Sequence, residues 1–318
     1  MSLTPHAERG AWRQSRSAER TGKINVSHAP CGAGGVETKP VRGAEFMETI
    51  TSAANSRIKR LCALRQKSRE RRKEGVFLIE GQRLCQDTPD KFLQEFYITQ
   101  ELLAEVSGKA SDNNHFADRI RQWEKKTFVI TNEIAARISD TQTPQGIFAV
   151  VSQPSYTKEQ ILDFDVPLYL LAEDIQDPGN LGTIFRTAEA AGVSAVIMSR
   201  GTVDVFNPKT IRSTMSSLFR MPFLYVDDLG EEIRVLRQRG VRVYAAHLGG
   251  KRIYTEPDYT EACAFLIGNE GNGLREETAR LADEKIIIPM QGQIESLNAA
   301  MSAGILMYQA AMERRPKW

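Results

Sequence analysis

"PLYLLAEDIQDPGNLGTIFRTAEAAGV", residues 167–193, joins an unbroken apolar run to an amphipathic one through a tight turn. Leu168 to Ala172 shows no alternation, as expected of a strand covered on both faces. Leu181, Ile184, Phe185, Ala188 and Ala191 then recur at i, i+3, i+4, i+7 and i+10, the stripe of a helix that packs on a sheet. Between them, Asp177-Pro178-Gly179-Asn180 is turn chemistry. Arg186 sits off the apolar stripe beside Thr183, Thr187 and Ala190, and its plainest reading alone is a surface pair with Glu189 at i+3. Its location argues for more. Open α/β sheets bind ligands beyond the carboxyl ends of their strands, where Asn180 and Gly182 also lie.

The same unit repeats outward from this stretch. Strand-like runs "LYLLA", "SAVIMS", "FLYVD", "RVYAAHL", "CAFLIG" and "KIIIPM" alternate with helical stretches across residues 168–318. That alternation implies an α/β domain with a mostly parallel sheet covered on both faces. Upstream, 47–151 reads as a smaller α/β domain. In it "NSRIKRLCALRQKSRERRKEG" is a helix stopped by Gly75, "VFLIEG" a buried strand, and "EFYITQ", "TFVIT" and "QGIFAVV" further strands. "SQPSYTKEQILDFDVP", 152–167, is expected to be a linker. Residues 1–46 show no periodicity and are expected to be a disordered extension, with Met47 the natural start. No apolar h-region marks a secretory signal, and Glu8 and Glu19 run against a transit peptide.

With 41% hydrophobic and 26% charged residues in 318, the chain has the balance of a globular protein. No apolar run is long enough to span a bilayer. Cys31, Cys62, Cys85 and Cys263 lack CxxC spacing, which suits a reducing cytoplasm rather than a disulfide framework. The histidines lack HExxH spacing, so no metal is expected. A net charge of +2 identifies no partner, but its distribution does. Arg57, Lys59, Arg60, Arg65, Lys67, Arg69, Arg71, Arg72 and Lys73 crowd roughly five helical turns against Glu70. A charge run is ordinarily a solvated face, yet one this dense and single-signed favours nucleic-acid contact.

Two further stretches carry polar residues where a packing element has no need of them. "FLIGNEGNGL", 265–274, runs a buried strand into Gly268, Gly271 and Gly273 around Glu270. It is neither a dinucleotide fingerprint nor a Walker loop. A plain glycine-rich turn and a ligand loop explain it equally well. In "IPMQGQIESLNAAMSAGILMYQAAMERR", from Ile288, Ser296 is placed to cap a long helix. Leu297, Met301, Ile305, Tyr308 and Met312 make one apolar stripe, and Ala299, Ala303, Leu306 and Ala310 another. A helix without a polar face is buried in its own subunit or against another. Gly304 suggests a close neighbour, and Asn298 breaks the apolar pattern and needs partners if buried.

Together these residues resemble the SpoU/TrmH class of the SPOUT superfamily, the RNA ribose 2′-O-methyltransferases. Asn180-x-Gly182 with Arg186 is similar to the family's first motif. Gly268-x-Glu270-x-x-Gly273-Leu274 is similar to its second, and Pro289, Gly292 and Ser296-Leu297-Asn298 to its third. The resemblance covers nearly all of 47–318; "VFLIEGQRL" and "TPQG" resemble the N-terminal RNA-binding domain of ribosomal RNA members. It implies an α/β SPOUT-type sheet with a C-terminal trefoil knot, S-adenosylmethionine as cofactor, RNA as substrate and a homodimer. Backbone groups of Gly268, Ile288 and Leu297, with Gly273 and Asn298, are then expected to hold the cofactor. Asn180 and Gly182 are expected to shape the floor of the site, and Ser296 and Asn298 to fix the knot loop.

The resemblance casts Arg186 as the general base, but a guanidinium resists deprotonation. The alternative is that Arg186 grips phosphate and steadies the developing alkoxide while Glu270 or another acceptor takes the proton. Arg57, Lys59, Arg60, Lys67, Arg71, Arg72 and Lys209 are the expected RNA contacts, with Asn207 and Arg212 beside Lys209. 23S ribosomal RNA is the favoured substrate. The rivals are a tRNA 2′-O-methyltransferase and an inactive RNA-binding assembly factor.

Overall fold

A computed structural model describes residues 47–108 and 115–315, so the expectation for 1–46 lies outside the described residues. Two sheets organise the chain. The first has five strands: β1 (Glu48–Ile50), β2 (Val76–Glu80), β3 (Leu93–Thr99), β4 (Thr127–Ile130) and β5 (Ile147–Ser152), in the order β1-β4-β3-β5-β2. There β5 runs antiparallel to its neighbours, while β1, β4 and β3 are parallel. The second has seven: β6 (Leu168–Ala172), β7 (Ala195–Ser199), β8 (Phe223–Val226), β9 (Arg242–Ala246), β10 (Arg252–Ile253), β11 (Cys263–Ile267) and β12 (Glu284–Ile287). Their order is β10-β12-β9-β11-β6-β7-β8, and every pairing is parallel. All carboxyl ends therefore share one edge.

The unbroken apolar runs follow from this geometry. Leu168, Leu170 and Ala172 enter one core, while Tyr169 and Leu171, on the opposite face of the pleat, enter another. The Pro178–Ala190 helix lays Leu181, Ile184, Phe185 and Ala188 on the first face, where Ala303, Leu306 and Ala310 of the Ala299–Arg314 helix join them. Each such large side chain stabilises by roughly 1.5–3 kcal/mol. Ile233 and Leu236 of the Leu229–Gln238 helix and Ala279 cover the second face.

The first core continues into the smaller sheet. Phe77 meets Phe206 at 4.9 Å between ring centroids, and Phe92 meets Phe219 at 5.7 Å. The expected linker is docked as well. Ser152 ends β5, a Thr157–Gln160 capping box opens a helix at Lys158–Leu162, Ile161 is fully buried, and Tyr156 packs edge-on against Phe223 at 5.7 Å.

Other details differ from the sequence reading. The long basic helix is two, Ser56–Gln66 and Ser68–Glu74, broken at Lys67, which is extended (φ −118°, ψ 111°). β1 and β10 were not foreseen, because three and two residues are too short to show a period. Among the described residues no helix is long and apolar enough to cross a membrane, and no cluster of side chains is arranged to hold a metal.

Candidate active site

A cavity of about 330 Å³ opens at the carboxyl edge of the larger sheet, between the ends of β9, β11 and β12 and the start of the Ala299–Arg314 helix. Small-molecule sites begin at about this size. Gly268, Asn269, Glu270, Gly273, Ile288, Ser296 and Leu297 are among its walls. Four of the expected cofactor-holding residues, Gly268, Gly273, Ile288 and Leu297, are thus brought together.

The glycines have separate reasons. A Cβ on Gly268 would fall 2.2 Å from the carbonyl carbon of Gly273 and the nitrogen of Leu274, so only glycine fits. Gly273 adopts φ +68°, which closes the loop through paired Asn269–Gly273 backbone bonds of 3.0 and 2.9 Å. The Asn269 side chain accepts from Gly271 N and Asn272 N and donates to Asp174 O at 2.8 Å. Sequence reasoning missed this residue, although an asparagine inside a glycine-rich loop is itself a turn-building signal.

A polar clasp ties the three loops together. The Glu270 carboxylate accepts from Gln176 N (3.0 Å), Asp177 N (3.1 Å) and Asn180 Nδ2 (3.0 Å). Asn180 Oδ1 accepts in turn from Asn298 Nδ2 at 2.9 Å. Burial alone raises the Glu270 pKa, but these donors outweigh it and hold the carboxyl below its ordinary value. A carboxylate stabilised in this way is a poor proton acceptor. Glu270 therefore braces the loop after β11 against the start of the Pro178–Ala190 helix in this arrangement.

Two expectations change. The helix cap is Asn298, not Ser296: Asn298 Oδ1 accepts from Ala300 N and Met301 N, while Ser296 stays exposed in the cavity wall. The Asn298 side chain is engaged at the cap and with Asn180. Gly182 does not form a floor. A Cβ there would meet Ser213 Cβ at 2.4 Å and Thr210 O at 2.6 Å, so it is the close-approach point of the Pro208–Thr214 helix.

Arg186 is exposed on the flank of the Pro178–Ala190 helix. The pairing with Glu189 does not form, because Glu189 accepts from Arg220 Nε at 2.7 Å and Ser217 Oγ at 2.9 Å. Among the described residues no ion pair or hydrogen bond engages Arg186. Beneath the site, buried Glu173 accepts from Arg275 N and Nε and from Thr278 Oγ1 at 2.5 Å. Asp174 holds φ +52°, a rare conformation for a residue with a Cβ, and Ser199 Oγ accepts from its N at 2.8 Å. These residues too were missed; two acids ending a buried strand were the available sign.

The basic stretch is less free than its composition suggested. Arg71 is 3% exposed and paired with Asp204 at 2.6 Å. Arg60 pairs with Glu74 at 2.6 Å and Glu95 at 3.3 Å. Arg57 pairs with Glu95 at 3.2 Å and lies 4.2 Å over the Phe128 ring. Arg65 donates to the carbonyls of Arg137, Ile138 and Ser139. Lys209 pairs with Asp177 at 2.9 Å, which holds that carboxyl low. Lys59, Lys67 and Arg72 remain exposed. The expected RNA contact at Arg71 is overturned by its burial.

A profile of the SpoU rRNA methylase family matches residues 167–308, and one of the MRM3-like substrate binding domain matches 55–149. The 23S rRNA (guanosine(2553)-2'-O)-methyltransferase RlmP of Bacillus subtilis (strain 168) is 35% identical, over 82% of this chain and 98% of its own. The SpoU methyltransferase AviRb from Streptomyces viridochromogenes, in complex with the cofactor AdoMet, superposes with a TM-score of 0.70 at 26% identity, covering 82% of this chain and 99% of its own. An AdoMet-bound rRNA methyltransferase from Sinorhizobium meliloti does so with a TM-score of 0.70 at 29% identity, covering 84% and 98%.

Proposed function

Because the chain belongs to the SpoU rRNA methylase family, we propose that it methylates a guanosine ribose 2′-hydroxyl of 23S ribosomal RNA. It is an RNA 2′-O-methyltransferase, and S-adenosylmethionine is its cofactor. The observation that carries the reading is the cavity at the ends of β9, β11 and β12, walled by Gly268, Ile288 and Leu297 and braced by the Asn180–Glu270–Asn298 clasp. Its mixed backbone and apolar lining fits a nucleoside with a short polar chain, and its volume of about 330 Å³ leaves room for one.

When bound, S-adenosylmethionine supplies an electrophilic methyl group. The protein's own task is position and charge. Gly268, Ile288 and Leu297 would hold the cofactor through backbone groups, and Gly273 shapes the loop in that wall. The clasp sets the distance between that loop and the Pro178–Ala190 helix that carries Arg186. Arg186, a cation with no partner among the described residues, grips the target phosphate and steadies negative charge as it develops on the ribose oxygen. With Glu270 occupied, the proton leaves to water or to the RNA.

Residues 47–151 serve as the substrate-binding domain, with Lys59, Lys67 and Arg72 as phosphate contacts. The chain works in the cytoplasm, as a homodimer with a trefoil knot in its C-terminal region. Met301, Tyr308 and Met312, 58%, 41% and 60% exposed on one stripe of the Ala299–Arg314 helix, support self-association. A second copy covers that stripe, and Met301→Glu with Met312→Glu yields a monomer in sedimentation experiments.

The decisive experiment is transfer of labelled methyl from S-adenosylmethionine to ribosomal RNA from cells lacking this protein, beside tRNA and an Arg186→Ala control. Label in large-subunit RNA, resistant to alkali at the modified linkage, is the expected result. Label in tRNA alone moves the substrate. No label, with no cofactor binding, leaves an assembly factor.

A further inference from the structure

Arg71 is buried although it stands in a helix, Ser68–Glu74, that is otherwise largely solvent-facing. Its guanidinium donates to Asp204 Oδ2 through Nε at 3.1 Å and Nη2 at 2.6 Å, and through Nη1 to the carbonyls of Leu64 and Arg65 at 2.8 and 3.0 Å. Asp204 lies in the loop after β7, on the carboxyl edge of the larger sheet; its other oxygen accepts from Phe206 N at 3.0 Å. Close by, Tyr225 OH donates to Val203 O at 2.7 Å and feels the charges of Asp204, Arg72 and Arg200. The cation-rich turn is thus fastened to the edge that also carries the cavity. Lys67, Arg69, Arg72 and Lys73 are exposed there, with no carboxylate partner among the described residues.

From Asp204 the loop after β7 leads back to the cavity. Arg200 pairs with Asp227 at 2.5 Å, but both are open to water, at 64% and 85% exposure. An ion pair that exposed contributes little to stability, so its cation is available to a phosphate. Next to it, Gly201 O accepts from Gln176 Nε2 at 2.6 Å, and Val203 N donates to Ile175 O at 2.8 Å. Gln176 N then donates to Glu270, in the cavity wall.

We propose that substrate RNA crosses both domains along this one edge, its phosphates tracked by Lys67, Arg72, Lys73 and Arg200, while the buried Arg71–Asp204 pair fixes the distance from that track to the cavity. The inference rests on the RNA-methyltransferase reading. It replaces a basic helix face acting alone with a route shared by two domains, and makes Arg71 a positioning residue.

The test uses the full chain. A ribosomal RNA fragment is titrated at several salt concentrations against wild type, Lys67→Glu/Arg72→Glu/Lys73→Glu, Arg200→Glu, and Lys125→Glu, an exposed cation beside the start of β4. S-adenosylmethionine binding is measured in parallel by calorimetry. The triple reversal loses about tenfold or more in RNA affinity with a shallower salt dependence. Arg200→Glu loses less, Lys125→Glu is unchanged, and cofactor binding holds throughout. Track variants that bind RNA like wild type, while wild type still methylates, overturn the proposal. A wild type that transfers no methyl to ribosomal RNA overturns the underlying reading instead. For the positioning role, Arg71→Ala loses kcat/KM for RNA with cofactor affinity intact, and Arg71→Lys restores part. Loss of cofactor binding together with RNA turnover makes Arg71 merely structural; if Arg71→Ala does not fold, Asp204→Asn supplies the same comparison.

Discussion

The clasp beside the cavity and the pair of basic helices were both picked out by residue type, yet the structure treats them in opposite ways. At the clasp, scattered polar residues converge: Asn180 from the first turn of the Pro178–Ala190 helix, Glu270 from the loop after β11 and Asn298 from the cap of the last helix satisfy one another at 2.9–3.0 Å. That leaves Arg186, on the same helix as Asn180, without a partner among the described residues. In the helices, adjacent cations disperse. Arg57 and Arg60 turn to Glu95, Arg65 to backbone carbonyls, and Arg71 inward to Asp204. Charge counted along a sequence is therefore not charge available to a ligand. A polar residue interrupting an apolar period is the better sign here: Asn298 finds its partners at the helix cap and at Asn180.

The largest expected effect tests the free cation. Arg186→Ala lowers single-turnover methyl transfer by about 10²–10³-fold, the range for losing a stabilising donor in a transition state, with S-adenosylmethionine affinity unchanged. Arg186→Lys recovers part, since charge is kept but the bidentate fork is lost. Equal loss of cofactor binding would place Arg186 among the packing residues and collapse the contrast.

The fold class was legible because parallel strands buried on both faces are unbroken apolar runs, and the helix at 178–190 carries a clean stripe. Cavity residues were legible where chemistry is unusual, at Gly268 and Glu270. What the sequence hid was pairing. Nothing near Arg71 announces Asp204, 133 positions away, and nothing near Glu270 announces the amides of Gln176 and Asp177. The docked segment at 152–167 was hidden for the same reason, since its Tyr156 and Ile161 are too few to form a period.

A smaller effect concerns the brace. Glu270→Ala removes the acceptor shared by three donors and is expected to weaken S-adenosylmethionine binding by roughly tenfold, about the cost of leaving donors unpaired. Acid should imitate it. The folded carboxyl titrates below its ordinary value near about 4.3, so the stability it contributes is complete above that pH. It is lost as pH falls through the lower folded value. Melting temperature followed downward from neutral pH should show a shallower acid decline in Glu270→Gln than in wild type; identical curves would remove Glu270 from the clasp's energetics.

Packing beneath the site comes next. Gly182→Ala drives a methyl group against Ser213 and Thr210 O and should cost about 1–3 kcal/mol by denaturant unfolding, as overpacking does. Transfer by the surviving folded protein should stay within a few-fold of wild type. A large loss of turnover at full stability would return Gly182 to the cavity floor.

The smallest effect separates two neighbours in the basic helices. Arg57→Ala gives up a stacking contact over Phe128 and a half-exposed pair with Glu95, together worth about 0.5–1 kcal/mol. It should lower the melting temperature slightly and leave RNA affinity alone. Lys59 is exposed and engages no carboxylate among the described residues, so Lys59→Ala should leave stability within about 0.5 kcal/mol and weaken RNA binding in a salt-dependent way. If both substitutions shift RNA affinity alike, the ion pairs that distinguish Arg57 open on contact with RNA, and the basic face acts as the undivided surface its composition implied.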